Sequence, residues 1–302
     1  MSSNDSALRA WLAHRPRVRG LAMLTGTVLA IALALVLALA AAVWWGQERL
    51  IFHPSPLPPE HRFGLGADVH EVNVEVPGAR LNALHLRLAR PDALVFYLHG
   101  NAGNLASWFV NADFYRAMNV DLFMLDYRGY GKSSGRIASE AQLLADVQAA
   151  WAQVAPAYAG RPVVFIGRSL GTGLAARLAA SLAPAQRPEL LLLVSPYRSL
   201  QALAAEHYPL LAGAGLLRYP LRTDLALQTL AQDRPAAGQT RVLLLHGDRD
   251  ALIPPAHSDA LAALVPGVSV QRIAGAGHND LQDFPAYLAA IRKAVEALRS
   301  GR

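Results

Sequence analysis

A long run without a single charge, residues 21–45 (LAMLTGTVLAIALALVLALAAAVWW), constrains the fold of this chain more than any other feature. As a helix the run would be about 37 Å long, which exceeds the roughly 30 Å of hydrocarbon in a bilayer. A helix also satisfies its own backbone N–H and C=O groups where no water is present. Trp44 and Trp45 stand where an aromatic belt at the membrane surface is expected. The sequence therefore predicts one transmembrane helix over 21–45.

A cleaved signal peptide is the alternative explanation of this run. The apolar region of a signal peptide spans about 7–15 residues, which is shorter than 21–45, but the small residues at 40–42 leave cleavage open. Arginines are denser before the run than after it, and the positive-inside rule then places the N-terminus in the cytoplasm. We therefore expect a single-pass membrane protein whose remaining chain is periplasmic or otherwise extracytoplasmic.

The charge distribution argues against a nucleic-acid partner. The formal net charge is +6, but half of it belongs to residues 1–19, where four arginines stand against Asp5. The rest of the sequence has no cluster of lysine and arginine, which phosphate binding requires. The chain has no cysteine, so a thiolate metal site and a cysteine nucleophile are excluded.

Strand and helix patterns alternate after residue 69. Two segments of period two, 70–76 and 81–89, predict an antiparallel pair. Short apolar runs predict six more strands: 94–98, 120–125, 162–166, 190–194, 241–245 and 268–273. Helical patterns lie between them, one opened by Ser139 and Gln142 as a capping box and a last one over about 285–298. This order predicts an α/β fold, a mostly parallel sheet with helices on both faces and ligands at the carboxyl ends of its strands.

The chain thus divides into four predicted parts. They are a basic N-terminal tail (1–20), the transmembrane helix (21–45), a Pro-rich linker (46–68) and the α/β domain (69–302). Within the linker, residues 54–60 (PSPLPPE) are so rich in proline that we expect a stiff, extended spacer that lacks donors for a sheet. Residues 199–223 leave room for only a small cap over the domain.

Ser169 is the candidate nucleophile. It is the middle residue of Gly167-Arg168-Ser169-Leu170-Gly171, a G-x-S-x-G motif between a predicted strand and a predicted helix. A serine on such a sharp turn is held out for attack in strained backbone geometry, and the glycines leave room for strand and helix to approach. The pentapeptide alone is weakly specific, so its placement between PVVFI and GTGLAARLAAS carries the assignment.

His278 and Asp250 are the candidate base and acid for this serine. A serine hydroxyl needs a base within hydrogen-bond reach, and the base needs an orienting acid. The expected order on such a sheet is serine, acid, histidine, which favours His278 in the glycine-containing loop after the last predicted strand. Asp250, in the loop after the seventh strand, is the favoured acid. Asp248 in the same loop stays open as the alternative, although bonding to loop amides suits it better.

Backbone N–H groups near Ser169 are predicted to form an oxyanion hole. Leu170, at the start of the helix after the nucleophile, supplies one of them. Asn101 or Ala102, in the loop after the third strand, supplies the second. Beside them, we expect His99 to be structural and Asn104 to cap the next helix.

Two other glycine motifs imitate nucleotide-binding sequences and depart from them. Gly171-Thr172-Gly173-x-x-Ala176 has the spacing of a dinucleotide fingerprint, but Glu189 precedes a strand where the fingerprint needs an acid that ends one. Gly131-Lys132-Ser133 has the end of a P-loop, but Asp126 replaces the first glycine of that loop. We therefore expect neither dinucleotide nor nucleoside triphosphate binding.

Taken together, these motifs resemble those of the α/β-hydrolase superfamily from about Leu50 to Leu298. The resemblance rests on HGNAGN, DYRGYGKSSG, GRSLGTG, HGDRDALIP and GAGHND, which occur in the order found in that superfamily. More narrowly, the chain is similar to the membrane-anchored single-domain branch that includes acyl-protein depalmitoylases and lysophospholipid or monoacylglycerol hydrolases. The resemblance implies an eight-stranded sheet, no cofactor, and the roles of nucleophile, acid and base for Ser169, Asp250 and His278. SPYRS (195–199) departs from the relatives and leaves the acyl pocket undefined.

Residues and resemblance together predict a membrane-anchored serine hydrolase. We expect it to cleave a carboxylic ester or thioester of a small-molecule acyl or lipid substrate through an acyl-enzyme. A serine peptidase on the same fold is one alternative, although the sequence leaves no room for a propeller or large cap that would select peptides. A non-enzymatic scaffold is the other, and the complete set of serine, acid, histidine and oxyanion loops argues against it.

Overall fold

One long helix, α1 (Pro16–Ile51), contains the whole apolar run. The computed structural model describes residues 10, 16–209, 217–232 and 240–298, so most of the predicted tail lies outside the described residues. The stretch 20–51 of α1 is long and apolar enough to cross a membrane by length and composition. The helix therefore extends beyond the predicted span of 21–45 at both ends.

The remaining chain, from Glu48 onward, forms a second compact unit built on ten strands and eight further helices. Its strands are β1 (His53–Pro54), β2 (Val69–Val76), β3 (Ala79–Leu86), β4 (Ala93–Leu98), β5 (Ala102–Gly103), β6 (Val120–Leu125), β7 (Val163–Arg168), β8 (Leu190–Val194), β9 (Arg241–Gly247) and β10 (Ser269–Ile273). Its helices are α2 (Leu105–Trp108), α3 (Ala112–Ala117), α4 (Glu140–Val154), α5 (Leu170–Ser181), α6 (Leu200–His207), α7 (Thr223–Gln232), α8 (Ala256–Leu264) and α9 (Pro285–Glu296). Both inventories cover the described residues only.

Eight of these strands form one sheet in the order β10-β9-β8-β7-β4-β6-β3-β2, which confirms the expected number. Strand β3 runs antiparallel to both of its neighbours, and the other neighbouring strands are parallel. The predicted antiparallel pair is confirmed, because β2 and β3 pair from Val69 opposite Leu86 to Val76 opposite Ala79. The sheet is mostly parallel, as the alternating pattern predicted.

Helices on both faces of the sheet explain its continuous apolar runs. Strands β4, β6, β7 and β8 are buried along their whole length. One core contains side chains of α4, α5 and α7, and the other contains side chains of α3 and α9. Strands covered on both faces need apolar side chains at every position rather than at every second one.

Residues near the start of two helices mark where these helices begin. Ser139 caps α4, and its side chain accepts a hydrogen bond from the Gln142 N–H at 3.1 Å. The other half of the predicted capping box differs, since the Gln142 side chain accepts from the Ala138 N–H instead of the Ser139 N–H. Helix α9 begins at Pro285 as predicted and ends at Glu296. Within the predicted cap, residues 210–216 lie outside the described residues.

The Pro-rich linker differs from the spacer that its composition predicts. The N–H groups of His53, Ser55 and Leu57 donate hydrogen bonds to carbonyls of two loops of the domain, at 2.8–3.0 Å. The expectation that 54–60 lacks donors for a sheet is therefore wrong for the first half of that segment. Proline removes a donor only at its own position, and residues 55 and 57 alternate with the prolines at 54 and 56.

Candidate active site

The candidate site lies at the carboxyl ends of β4 and β7, the two strands at the middle of the sheet. From β4 the chain continues to β6 on one side, and the later strand β7 pairs with β4 on the other side. The loops that leave these two strands therefore diverge and open a crevice, which is where α/β sheets bind ligands. Ser169 follows β7, and Asn101 and Ala102 follow β4.

Ser169 occupies the sharp turn that the motif predicts. Its backbone has φ 51° and ψ −119°, a left-handed conformation that is strained for a residue with a side chain, and α5 begins at the next residue. A Cβ at Gly171 would lie 2.0 Å from the Leu98 carbonyl oxygen, and one at Gly167 would lie 2.4 Å from the Gly171 carbonyl oxygen. Both glycines are therefore required for the close approach of β7, β4 and α5.

The structure brings the three predicted side chains into one hydrogen-bonded chain. Nε2 of His278 lies 3.0 Å from Oγ of Ser169, and Nδ1 of His278 lies 2.7 Å from Oδ2 of Asp250. The carboxylate can only accept, so Nδ1 carries the proton and Nε2 is free to accept the hydroxyl proton of Ser169. This is the protonation state that a general base for serine needs.

The two candidate acids occupy different positions. Oδ1 of Asp248 accepts a hydrogen bond from the Gly275 N–H at 2.7 Å, in keeping with the expected role of Asp248 in bonding loop amides. Oδ1 of Asp250 accepts from the N–H groups of Leu252 (3.1 Å) and Ile253 (2.8 Å), which leaves Oδ2 for the histidine. Of the two, Asp250 is the carboxylate placed on His278.

The hydrogen bonds to Asp250 keep it ionised. Burial by itself would raise the pKa of this carboxyl, but hydrogen bonds from His246, His278 and the Ile253 N–H outweigh burial and hold the pKa well below its usual range. A buried carboxylate that stays charged can orient the imidazole and stabilise it when it gains a proton.

A second histidine, His246, contacts Asp250 on the side away from solvent. No role was assigned to it from the sequence. Its ring is fully buried, with Nε2 at 2.8 Å from the Ile253 carbonyl and at 3.3 Å from Oδ2 of Asp250. The carbonyl can only accept, so Nε2 carries the proton and Nδ1 accepts from the Ser258 hydroxyl at 2.7 Å. His246 therefore fixes the loop that carries Asp250.

Arg168, the variable residue before the nucleophile, was also missed. Its Nη2 donates to the His278 carbonyl (3.1 Å) and to the Gln282 side chain (2.6 Å), and its guanidinium lies 5.3 Å from the ring centre of Trp108. The indole N–H of Trp108 in turn donates to the Ala102 carbonyl at 2.8 Å. Arg168 thus connects the histidine loop with the loop after β4, and no local sequence pattern signals such a contact.

The predicted oxyanion-hole residues follow the two central strands, Leu170 after β7 and Asn101 and Ala102 after β4. Leu170 is the first residue of α5, so its N–H has no partner within the helix. Asn101 and Ala102 lie in the loop that leaves β4, and Asn104 caps α2 with its side chain as predicted. His99 is fully buried beneath this loop, with Nδ1 2.8 Å from the Gly100 carbonyl.

A cavity of about 400 Å³ opens beside the candidate site. It borders Ala102 of the predicted oxyanion hole, and also Arg168 and Asn279, which are next to Ser169 and His278 in the sequence. Most of its wall is apolar or aromatic and includes Tyr97, Trp108, Tyr115, Met124, Leu288 and Ile291. Among the residues that the structure describes, no group of three or more His, Asp or Glu side chains could hold a metal ion.

Comparison with known families and sequences gives three results. Residues 89–220 match the Hydrolase_4 family, described as serine aminopeptidase, S33. An uncharacterised protein of Mycobacterium tuberculosis is 32% identical over 259 residues, which cover 83% of this chain and 88% of that protein. The α/β-hydrolase domain-containing protein 17B of Xenopus tropicalis is 30% identical over 227 residues, which cover 72% of each chain.

Solved structures share the fold. An esterase from Pyrococcus furiosus superposes with a TM-score of 0.62 at 15% identity, covering 82% of this chain and 97% of that one. The thioesterase domain from the curacin biosynthetic pathway superposes with a TM-score of 0.54 at 17% identity, covering 75% and 99%. At such identities the likeness extends to the fold alone. The similarity to protein 17B, which covers 72% of each chain at 30% identity, shows the family: the chain belongs to the α/β-hydrolase superfamily.

Proposed function

We propose that this protein is a membrane-anchored serine hydrolase that cleaves acyl esters or thioesters through an acyl-enzyme. The observation that carries the proposal is the hydrogen-bonded chain Ser169–His278–Asp250 at the strained turn after β7. In this proposal Ser169 is the nucleophile, His278 the general base and Asp250 the acid that orients it.

The geometry supports a two-step reaction. As Oγ of Ser169 attacks the acyl carbonyl, its proton passes to Nε2 of His278, and the charged imidazole is stabilised by Asp250. The tetrahedral oxyanion is stabilised by N–H groups of Leu170 and of Asn101 or Ala102. His278 then gives its proton to the leaving alcohol or thiol, which departs and leaves the acyl group on Ser169. Water, deprotonated by His278, hydrolyses this ester and regenerates the enzyme.

The cavity supports an acyl substrate. Most of its wall is aromatic or aliphatic, and it includes Trp108, whose indole N–H binds the Ala102 carbonyl, so it suits a hydrocarbon chain better than a charged peptide. The names of two structural neighbours, an esterase and a thioesterase domain, agree with this class. We therefore favour an ester or thioester of a lipid or lipidated molecule.

Helix α1 supports membrane anchoring. Residues 20–51 have the length and composition of a membrane-spanning helix, and the arginines before them favour a cytoplasmic N-terminus with the hydrolase unit on the opposite side. Such an anchor would keep the hydrolase near lipid and raise the local concentration of a lipid substrate.

The experiment that tests the nucleophile is Ser169→Ala in the full-length protein. We expect the variant to lose labelling by a fluorophosphonate probe and turnover of p-nitrophenyl acyl esters, since the hydroxyl that both react with is gone. Ser134→Ala, at an exposed serine outside the site, is the control and should keep both activities. Labelling that survives in Ser169→Ala would refute the assignment.

A serine peptidase is the second candidate function, favoured by the family description that matches residues 89–220. It predicts faster hydrolysis of aminoacyl p-nitroanilides than of p-nitrophenyl acyl esters with medium or long chains. Comparison of kcat/KM for the two substrate series on the same preparation decides between the candidates, because Ser169 would serve both reactions.

A further inference from the structure

The segment between α1 and the domain lies along the loop that carries Asn101 and Ala102. We name residues 51–57 (Ile-Phe-His-Pro-Ser-Pro-Leu) the strap. Its two-residue strand β1 pairs in parallel with β5, with His53 opposite Ala102 and Pro54 opposite Gly103. This small pairing is separate from the eight-stranded sheet.

Two reciprocal hydrogen bonds fix Asn101 to the strap. The His53 N–H donates to the Asn101 carbonyl at 2.8 Å, and the Asn101 side-chain amide donates to the Ile51 carbonyl at 3.0 Å. The strap therefore holds both the backbone and the side chain of the residue whose N–H is a proposed oxyanion donor.

The strap also holds the residues that follow Ala102. The Ser55 N–H donates to the Gly103 carbonyl at 3.0 Å, and the Ser55 carbonyl accepts from the Asn104 side-chain amide at 2.7 Å. Asn104 is also the N-cap of α2, so the strap, the loop and the start of this helix form one hydrogen-bonded unit. Ala102 lies between the two points at which the strap binds the loop.

The prolines of the strap occupy the positions at which a donor is not needed. The N–H groups at residues 53, 55 and 57 donate to the loops, and the residues between them are Pro54 and Pro56. Alternate residues of an extended chain point their N–H groups to opposite sides, so proline fits on the side away from the partner. Proline also fixes φ, which reduces the entropy that the strap loses on binding.

The N-terminal end of the strap is itself fixed to the domain. The ring of Phe52 is buried and packs edge-to-face on Tyr219, with ring centres 5.2 Å apart. Just before the strap, the Glu48 carboxylate accepts a hydrogen bond from the Tyr219 hydroxyl at 2.7 Å and pairs with Arg218 at 2.8 Å. The strap is therefore anchored on one side while it holds the loop on the other.

We propose that the strap is a positioning element of the oxyanion hole, so that residues outside the hydrolase motifs set the rate of the chemical step. The inference rests on the proposed function, because it assigns the oxyanion to the loop that the strap holds. Oxyanion donors act only when they are fixed in advance, and losing one costs about 10²–10³ in kcat. The strap supplies part of this fixation for a loop that lies beyond the end of the sheet, beside the Tyr130 hydroxyl, which donates to the same Asn101 carbonyl at 2.6 Å.

Two substitutions at His53 distinguish the effect of its backbone N–H from the effect of its side chain. His53→Pro removes the N–H that binds the Asn101 carbonyl and keeps an extended backbone, whereas His53→Ala keeps the N–H and removes only an exposed side chain. Both variants are made in the full-length protein and compared with p-nitrophenyl butyrate as substrate.

We expect His53→Pro to lower kcat by about tenfold or more, with KM within twofold, because a displaced donor weakens the transition state more than the bound ester. The affinity for an alkylboronic acid, which forms a tetrahedral adduct on the serine, should fall by a similar factor. The pH profile of kcat should keep its midpoint, because the strap does not touch His278. His53→Ala should stay within twofold of the unsubstituted protein.

Equal kcat values for folded His53→Pro and His53→Ala would overturn the proposal and leave the strap as a connector. Should His53→Pro fail to fold, the pair Ser55→Pro and Ser55→Ala repeats the comparison at the bond to Gly103. Loss of folding in both proline variants would also contradict the proposal, because the strap would then serve the stability of the whole domain. Ester turnover that survives Ser169→Ala would instead refute the proposed function, and the proposal on the strap with it.

Discussion

Replacing Asp250 by Asn tests how the candidate site handles protons, because the structure dictates which way the new amide must point. Oδ1 of Asp250 accepts hydrogen bonds from the N–H groups of Leu252 and Ile253. An asparagine keeps these two bonds only if its carbonyl oxygen takes the place of Oδ1. Its NH₂ group then lies where Oδ2 now accepts from Nδ1 of His278 at 2.7 Å.

Two donors cannot share one hydrogen bond, so His278 in Asp250→Asn must move its proton from Nδ1 to Nε2 to accept from the amide. Nε2 then faces Ser169 with a proton and cannot accept another. The same substitution in a serine protease triad lowers kcat by about 10⁴ with the geometry intact. We expect a loss of that order here, which corresponds to about 5.5 kcal/mol of transition-state stabilisation.

The assay is steady-state hydrolysis of p-nitrophenyl butyrate by the full-length protein, together with the rate of fluorophosphonate labelling. Asp248→Asn is the matched control, because an amide oxygen can replace Oδ1 of Asp248 as the acceptor from the Gly275 N–H. The control should stay within tenfold of the unsubstituted protein. Circular dichroism before and after heating shows whether both variants are folded.

Two results would refute this reasoning. The first is a kcat for Asp250→Asn within tenfold of the unsubstituted protein, since the position of the proton on His278 would then not depend on this carboxylate. The second is a larger loss in Asp248→Asn than in Asp250→Asn, which would transfer the role of acid to the other aspartate.

Two further predictions concern stability. Burial, with the charges of nearby Arg87 and His70, lowers the pKa of His85 to about 4. Between about pH 6.5 and pH 4, His85 therefore binds a proton in the unfolded chain but not in the folded protein. The free energy of unfolding should fall by about 3 kcal/mol as the pH drops through this range. His85→Gln should lose this part of the slope in urea unfolding at several pH values, and an unchanged slope would contradict the prediction. Arg128→Met strands the buried carboxylate of Asp146, which now accepts from the guanidinium at 2.6 and 2.8 Å, and should cost about 3–5 kcal/mol by the same method. Asp113→Asn, at a carboxylate that is 96% exposed, should change stability by less than about 1 kcal/mol, and equal effects of the two variants would disprove the role of burial.

Features of the fold that depend on local pattern could be predicted from the sequence. Strands β4, β6 and β8 are apolar throughout because both faces are covered, and their limits agree with the apolar runs. The turn at Ser169 could be predicted because Gly167 and Gly171 stand where a Cβ would collide with neighbouring backbone. In each case a short segment carries the whole physical requirement.

Features that depend on contacts between distant segments could not be predicted. Arg168 binds the His278 carbonyl 110 positions away, and nothing at its own place in G-x-S-x-G specifies an arginine. The prolines of 54–60 predict a stiff, extended spacer, whereas the N–H groups of Ser55 and Leu57 in that segment bind carbonyls of Gly103 and Gly131 in two distant loops.

By itself, the sequence determined which kinds of segment this protein has: an apolar helix, strands covered on both faces, and a serine on a glycine-bounded turn. These properties follow from periodicity, side-chain volume and backbone freedom, which act within a few residues. Only the tertiary structure decided that Asp250 and not Asp248 meets His278, and that His246 lies beneath Asp250. A hydrogen bond requires two groups to lie about 3 Å apart, and for residues far apart in the chain only the packing of the whole domain sets that distance.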